Sequence, residues 1–171
     1  MLLTFIGAIS VAVLGACLAF ILNRTTGIQA RWLIPASAGA GMLGFTIWAD
    51  YSWFGRVAGE LPPEVVVART HATSWAVQPW TLAFPAVTRF QAVNAGGAVA
   101  IPASPDVVLA EVYLVARHQP TFAALMLFDC AGGRRADAVD AAADGLPPDS
   151  AWVAVGADDP VLRAACDGAR G

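Results

Sequence analysis

The stretch that decides the fold is LLTFIGAISVAVLGACLAFIL, residues 2–22, which contains no charged side chain. At about 1.5 Å of rise per residue, a helix of this length spans the roughly 30 Å hydrocarbon core of a bilayer. A second uncharged run, residues 32–49, follows a short polar connector at residues 23–31. These patterns predict an integral membrane protein with a transmembrane helical hairpin, residues 1–54, whose helices cover about 2–22 and 32–50.

Aromatic and basic residues around these runs predict how the hairpin sits in the membrane. Trp32 lies at one end of the second run and Trp48, Tyr51 and Trp53 at the other, as in the aromatic belts at both membrane faces. Two arginines, Arg24 and Arg31, flank the connector, whereas residues 1–20 contain no basic side chain. The positive-inside rule therefore predicts a cytoplasmic connector, although Arg56 after the second run weakens the bias.

Small residues recur every four positions on both predicted helices. They are Ala8, Ala12 and Ala16 on the first helix and Ala36, Ala40 and Gly44 on the second. Such stripes let two helices approach closely in lipid. The alternative explanation is that Ala and Gly are simply common in this composition.

Two other interpretations of the first run were weighed against a retained helix. A cleaved signal peptide requires a positive n-region, which is missing here. The sequence Leu14-Gly15-Ala16-Cys17 resembles a lipobox, but apolar residues follow the cysteine where a polar linker is expected. We therefore expect Cys17 to be a small residue buried in the membrane.

Composition supports a membrane location and excludes a nucleic-acid partner. The chain is 57% hydrophobic with a mean hydropathy of +0.61, above the content of ordinary soluble domains. All ten basic residues are Arg, which indicates a GC-rich bacterial genome. The net charge is -3, and the scattered arginines form no basic stripe for nucleic acid to bind.

Residues 55–171 have the pattern of one small β-rich domain. Short apolar runs separated by Pro and Gly predict strands at 64–70, 107–118, 121–130 and 151–155, with the second and third forming an antiparallel hairpin. Residues 158–168 predict a short helix, with an acidic cap, Pro160 at the first position and Gly168 at the end. The predicted fold class is therefore membrane-anchored α+β.

The domain has two cysteines, Cys130 at a strand end and Cys166 on the predicted helix. An even pair in a periplasmic domain suggests a disulfide, which agrees with the orientation from the positive-inside rule. The alternative is two unrelated buried thiols in a cytoplasmic domain. The spacing is too wide for a C-x-x-C redox or zinc site. We expect a bacterial inner-membrane protein, multi-pass, with its C-terminal domain in the periplasm.

The end of the chain resembles a known family of envelope proteins. Phe128-Asp129-Cys130, Trp152 and the terminal Ala165-Cys166 resemble the closing pattern of β-domains of the surface-adhesin protein E family. The likeness covers about the last 45 residues and implies that the two cysteines pair in a β-domain. The family lacks a two-helix anchor, so adhesin function is not carried over. The layout also resembles uncharacterised proteobacterial membrane proteins with two helices.

No motif predicts catalysis, a metal or a cofactor. The histidines, His71 and His118, have no metal-binding spacing, and we expect each to be an ordinary strand or strand-end residue. The segment 130–135, CAGGRR, could cradle an anion, but a turn with a solvated Arg pair is favoured. Asp158 and Asp159 could form half of a calcium site, but a helix cap accounts for them. We expect no enzyme activity.

The most unusual stretch of the domain is WAVQPWTLAFPAVTRF, residues 75–90. One interpretation is packing in the core or at the membrane interface. The other is an aromatic surface, formed by Trp75, Trp80 and Phe84, that docks on a membrane-protein partner. The leading hypothesis is therefore an accessory or assembly subunit of a larger membrane complex. The alternatives are a periplasmic ligand-binding or sensing module and a redox protein working through Cys130 and Cys166.

Overall fold

The computed structural model describes residues 2–27, 30–141 and 146–170. The chain divides into two compact units, Met1–Arg56 and Val57–Gly171, and each is described here by itself. The fold is α+β, with a pair of helices in the first unit and a curled antiparallel sheet with a C-terminal helix in the second.

Both N-terminal helices are longer than the sequence predicts. Helix α1 covers Leu2–Thr26, and the hydroxyl of Thr26 donates to the Leu22 carbonyl 2.7 Å away, which keeps the last turn helical. It ends at Gly27, whose φ of +73° suits glycine. Helix α2 covers Leu33–Gly59 and runs nine residues beyond the predicted end at residue 50. Its one proline, Pro35, lies in the first turn, and the next prolines are the Pro62-Pro63 pair beyond its end.

Among the described residues, one helix is long and apolar enough to cross a membrane. It is α1, over Thr4–Thr26, and a signal sequence would have the same character. In α2, glycines and the carboxylate of Asp50 lower the mean hydropathy of the apolar run. Of the predicted anchoring residues, Trp32, Trp48 and Tyr51 are exposed and Trp53 is half-buried. The Arg56 guanidinium lies 5.2 Å from the centre of the Trp48 ring.

The two helices pack through glycines, and the predicted stripe on α2 is wrong. A methyl group added at Gly15 would lie 2.9 Å from the Ser37 carbonyl oxygen, and one at Gly41 would lie 3.2 Å from the Val11 carbonyl oxygen. The Ser37 hydroxyl also hydrogen-bonds to the Gly15 carbonyl at 3.1 Å. Val11 lies four residues before Gly15 on α1, and Gly41 lies four residues after Ser37 on α2. The two helices therefore run antiparallel.

The contact face is one residue away from the predicted stripe on α2. Ala36, Ala40 and Gly44 are all exposed, whereas their neighbours Ser37 and Gly41 are half-buried. On α1, the predicted Ala8, Ala12 and Ala16 are half-buried beside the contact face. The closest backbone approach is at Gly15 and Gly41, because glycine is smaller than alanine.

The second unit is built on one antiparallel sheet in the order β1-β2-β4-β5-β6-β7. The short strand β3 pairs with the first part of β4, and β2 pairs with its last part. The strands are β1 (Val65–Thr73), β2 (Ala86–Asn94), β3 (Val99–Ile101), β4 (Ser104–Ala116), β5 (Phe122–Asp129), β6 (Arg134–Asp137) and β7 (Val153–Ala154). Helix α3 (Trp80–Ala83) lies in the β1–β2 connection, and α4 (Pro160–Gly168) follows β7. Two 3-10 turns cover Ala138–Asp140 and Asp149–Ala151.

Helix α4 packs on one face of the sheet, which we call the helix-bearing face. Its buried side chains Val161, Leu162 and Ala165 contact buried residues of β2, β4 and β5: Val93, Ala110, Val112 and Phe128. On the opposite face, a smaller cluster contains Val107, Leu127 and Ala136. Both faces are partly covered because side chains alternate between them along each strand.

The strand and helix predictions for this unit have mixed outcomes. The β4–β5 hairpin is confirmed, with Val108 paired to Phe128 and Val112 to Ala124. The C-terminal helix is also confirmed, with Asp159 as its cap. The last predicted strand, residues 151–155, is reduced to Val153–Ala154, because a 3-10 turn takes up Asp149–Ala151. The sequence analysis missed β2, β3 and β6.

Candidate anion-binding pocket

Basic side chains from β1 and β2 meet on the helix-bearing face because of strand alternation and register. Arg69 is paired with Gln91 and His71 with Arg89 across the two strands. Positions 89 and 91 lie on the same side of β2 as Val93, which packs under α4. The four polar side chains therefore continue, along the hairpin, the face that α4 covers.

A cavity of about 400 Å³ lies on this uncovered part of the face. We call it the cationic pocket. The residues that line it are Arg69, His71, Arg89, Phe90, Gln91, Leu114, Val115, Ala116, Gln119, Pro120, Phe122 and Arg135. Three of the ten arginines of an acidic chain and one of its two histidines thus surround one cavity.

The curl of the sheet brings Arg135 into this group. Arg135 lies on β6, which is separated from β1 by three strands in the sheet order. At about 4.8 Å per strand, a flat sheet would hold β1 and β6 nearly 20 Å apart. Both strands nevertheless line the same cavity, so the sheet folds around it.

The positive charge of the pocket is only partly neutralised. Arg69 donates to Asp159 through Nη2, 2.5 Å from Oδ2. Arg89 and Arg135 form no ion pair with a carboxylate in the part of the chain that the structure describes. Among the residues that the structure describes, none that lines the pocket is Asp or Glu. A concave site with uncompensated guanidinium groups attracts anions and can hold a phosphate or carboxylate by paired hydrogen bonds.

Asp159 links the pocket to α4. Its Oδ1 accepts hydrogen bonds from the backbone N–H groups of Val161 and Leu162, at 2.9 and 3.1 Å. Its Oδ2 receives Arg69. The carboxylate therefore caps the helix and positions a guanidinium at the pocket edge, which accounts for the buried Asp159 without a calcium ion.

One side of the pocket is apolar. Leu114 and Phe122, paired across β4 and β5, are both exposed on the helix-bearing face. Beside them, Gln91 Oε1 is buried and has no hydrogen-bond partner among the described residues. The pocket therefore offers cationic, amide and apolar surfaces together, which suits a ligand with an anionic group attached to an apolar body.

The neighbouring arginines Arg134 and Arg135 have different surroundings, because successive strand residues point to opposite faces. Arg134 hydrogen-bonds to Asp129, with Nη2 2.7 Å from Oδ2, and lies 5.3 Å from the centre of the Trp152 ring. Arg135 lines the pocket. The expected solvated pair is therefore wrong for Arg134, which is paired with Asp129, whereas Arg135 is half-buried at the pocket and stays without a carboxylate partner among the described residues.

The glycines of the predicted turn at residues 130–135 serve Asp129. The Gly132 N–H donates to Asp129 Oδ1 at 2.7 Å, and Gly133 has a φ of +62°. Burial raises the pKa of the Asp129 carboxyl, but the hydrogen bonds from Gly132 and Arg134 outweigh it and hold that pKa below its usual value. Residues 130–133 form a turn, as predicted. The Gly132 N–H that an external anion would need is already bonded to the Asp129 carboxylate.

The predicted cysteine pairing is present in the structure. Cys130 and Cys166 form a disulfide that joins the end of β5 to α4, with their Cα atoms 6.0 Å apart. Cys166 is buried in the core and Cys130 packs at its border. Cys17, the third cysteine, is free and exposed on α1. The disulfide thus holds α4 on the sheet beside the pocket.

The three predicted partner-binding residues have unequal exposure. Trp75 and Phe84 are 65% and 71% exposed, whereas Trp80 is half-buried. Phe90, at the end of the aromatic stretch, is fully buried. The stretch therefore includes both core and exposed side chains, and neither interpretation of it holds for every residue.

Of the two histidines, His71 lies in the pocket and His118 in the β4–β5 turn. His118 follows the end of β4 by two residues and has a φ of +64°, so it is a turn residue at the strand end. The described residues contain no group of three His, Cys, Asp or Glu side chains placed to hold a metal ion.

Comparison with known proteins leaves the chain without an assigned family. No protein-family model matches it, and neither a curated protein nor a solved structure gives a significant match. The function of the chain is therefore argued from the pocket itself.

Proposed function

We propose that the protein is a membrane-anchored binding module that holds an anionic ligand in the cationic pocket. The observation that carries the proposal is the convergence of Arg69, Arg89 and Arg135 on one cavity, with no carboxylate among the described residues that line it. Like charges brought together repel one another and lower the stability of the empty protein. Such an arrangement is typical of a site whose ligand supplies the missing negative charge.

Binding without catalysis is the form of the proposal that the lining supports. The described residues that line the pocket include one histidine and no Ser, Thr or Cys that could act as a nucleophile. Glutamine and arginine side chains orient and neutralise anions but transfer no protons near neutral pH. The proposal thus develops the ligand-binding hypothesis of the sequence analysis, and the accessory-subunit hypothesis stays a prediction.

The proposed topology is a two-helix hairpin in a bacterial inner membrane with the domain in the periplasm. Support comes from the glycine-mediated antiparallel contact of α1 with α2 and from Arg24 and Arg31 beside the connector. The disulfide supports an oxidising compartment. Reporter fusions at residue 27 and at residue 170 should show opposite sides of the membrane, whereas two reporters on the same side would contradict the hairpin.

The binding proposal is tested with the full chain purified in a mild detergent. Inorganic phosphate and citrate are titrated by calorimetry at constant ionic strength. We expect Arg89→Gln to weaken anion binding about tenfold, since a charge-assisted hydrogen bond contributes roughly 1.5–3 kcal/mol. The matched control is Arg170→Gln, which removes the same charge from an exposed position.

Equal affinities of the Arg89→Gln variant and the wild type would contradict the proposal. If Arg170→Gln weakens anion binding as much as Arg89→Gln does, the proposal is also contradicted. Binding would then depend on the net charge of the protein and not on the pocket.

A further inference from the structure

The connection between β1 and β2 is uncharged over a long stretch. Residues 72–88 contain no Asp, Glu, Arg or Lys. Within them, the aromatic loop, residues 74–85, exposes four large apolar side chains to between 63% and 81%: Trp75, Val77, Leu82 and Phe84. Apolar side chains this exposed and this close together mark a surface that meets something other than water.

The aromatic loop is held in a defined conformation from within. Thr81, which is 2% exposed, accepts a hydrogen bond from the Trp75 N–H at 2.8 Å and donates one to the Gln78 carbonyl at 2.7 Å. The short helix α3 and two prolines, Pro79 and Pro85, further restrict the backbone. The apolar side chains are thus displayed by an ordered support.

The loop and the cationic pocket follow one another along the same hairpin. Thr73 pairs with Ala86 at the base of the loop, and His71 pairs with Arg89 at the pocket, two positions further along β1. The Thr73 and Thr88 hydroxyls are 2.9 Å apart and join the two strands between these points. An apolar tip therefore leads directly into a cationic cavity that has its own apolar side at Leu114 and Phe122.

We propose that the ligand of the cationic pocket is the headgroup of an anionic phospholipid, and that the aromatic loop inserts into the lipid interface beside it. This inference rests on the proposed function and names its ligand class. Trp and Phe side chains favour the membrane interface, and anionic headgroups attract nearby guanidinium groups. The same chain contains α1, which is apolar enough to cross a bilayer, so lipid is a partner within its reach.

Lipid fits this surface better than a protein partner does. An anionic amphiphile has an apolar part next to a charged part. The apolar part would meet the aromatic loop, and the charged part would meet the cationic pocket. The loop offers few polar groups at its tip for specific hydrogen bonds with a protein.

The test places the full chain in nanodiscs of phosphatidylcholine, alone or mixed with phosphatidylglycerol, with acyl chains brominated near the headgroup. Bromine quenches tryptophan fluorescence at short range. The contribution of Trp75 is the difference between the wild type and Trp75→Phe, a change at an exposed position that should leave the fold intact. The control is Trp152→Phe, since Trp152 stacks with Arg134 outside the pocket.

We expect Trp75 to lose at least half of its emission in brominated nanodiscs and Trp152 to lose little. Phosphatidylglycerol should increase the quenching of Trp75, and Arg89→Gln should remove that increase. Phosphate binding in detergent, which tests the proposed function, is measured in parallel on the same variants.

Three outcomes would overturn the lipid inference. If Trp75 is not quenched while phosphate still binds, the pocket takes a soluble anion and only the inference fails. If Trp75 is shielded from iodide by a co-purified protein and not by lipid, the loop docks on a protein and the inference also fails. Loss of both quenching and phosphate binding would remove the proposed function as well.

Discussion

The helix-bearing face of the sheet has two halves that are built from the same strands. One half is covered by α4, and the other forms the cationic pocket. In the covered half, Val93, Val112 and Phe128 are buried under α4. In the open half, the same strands carry Arg89, Gln91 and Phe122, and a cavity takes the place of a helix. On β2, the core of this small domain thus ends where the side chains change from Val93 to Gln91 and Arg89.

The boundary between the halves is a single ion pair. Asp159 caps α4, which covers one half of the face, and Arg69 lines the pocket in the other half. Their ion pair therefore joins the two halves. The covered half therefore determines the stability of the domain, and the open half is free to bind. Changes in the first should alter unfolding, and changes in the second should alter ligand affinity.

The largest effect should come from removing the disulfide of the covered half. A bridge that closes 36 residues contributes roughly 3–4 kcal/mol in the chain-entropy model. The double variant with Cys130→Ser and Cys166→Ser should therefore lose about that much unfolding free energy, measured by chemical unfolding of the full chain in detergent. Cys17→Ser is the control and should leave stability unchanged. An unchanged double variant would mean that α4 stays in place without its covalent link.

The next effect compares one leucine from each half. Leu162→Ala removes a buried side chain under α4 and should cost about 3 kcal/mol, through lost burial and the cavity left behind. Leu114→Ala changes a residue that is 40% exposed in the open half and should cost less than about 1 kcal/mol. Both are measured by thermal unfolding. Equal losses would show that the open half is covered in the membrane-bound protein.

A smaller effect should appear in acid, at Asp129, which lies at the end of β5 on the face opposite to α4. Because the pKa of Asp129 is lower in the folded protein than in the unfolded chain, its ionised form stabilises the fold above about pH 4. This contribution disappears as the pH falls through the folded-state pKa. Asp129→Asn should therefore lower stability by about 1–2 kcal/mol at neutral pH and flatten the decline below pH 4. A variant with the steep acid decline of the wild type would contradict this account.

Local patterns made the covered half predictable from the sequence. The apolar runs predicted the β4–β5 hairpin, in which Val108, Ala110 and Val112 are buried, and the acidic cap with Pro160 predicted the start of α4. The cysteine count pointed to the bridge that the structure contains. The strand and helix signals are each contained in a short stretch of sequence. The disulfide signal depends only on the number of cysteines in the domain.

The open half could not be predicted, because its arginines are far apart in the sequence. Arg69, Arg89 and Arg135 converge only through strand register, and β1 has two irregularities that shift this register. No short pattern contains that information. The one available signal was His71 and Arg69 at alternate positions of a strand, which places both on one face.

The helix pair shows the same limit on a smaller scale. Alanine spacing suggested one stripe on α2, but Gly41 and Ser37 lie at the contact. Two overlapping four-residue repeats of small residues are present in this helix, and only packing against α1 selects between them.

The most direct test of the central claim is calorimetric titration of phosphate into the Arg89→Gln and Arg135→Gln variants, with the unfolding free energy of each measured in parallel. We expect both variants to bind about tenfold more weakly while their stability stays within about 0.5 kcal/mol of the wild type or rises, because each change relieves repulsion in the open half. Unchanged affinity with a large loss of stability would contradict the account, because the arginines would then support the fold and not a ligand.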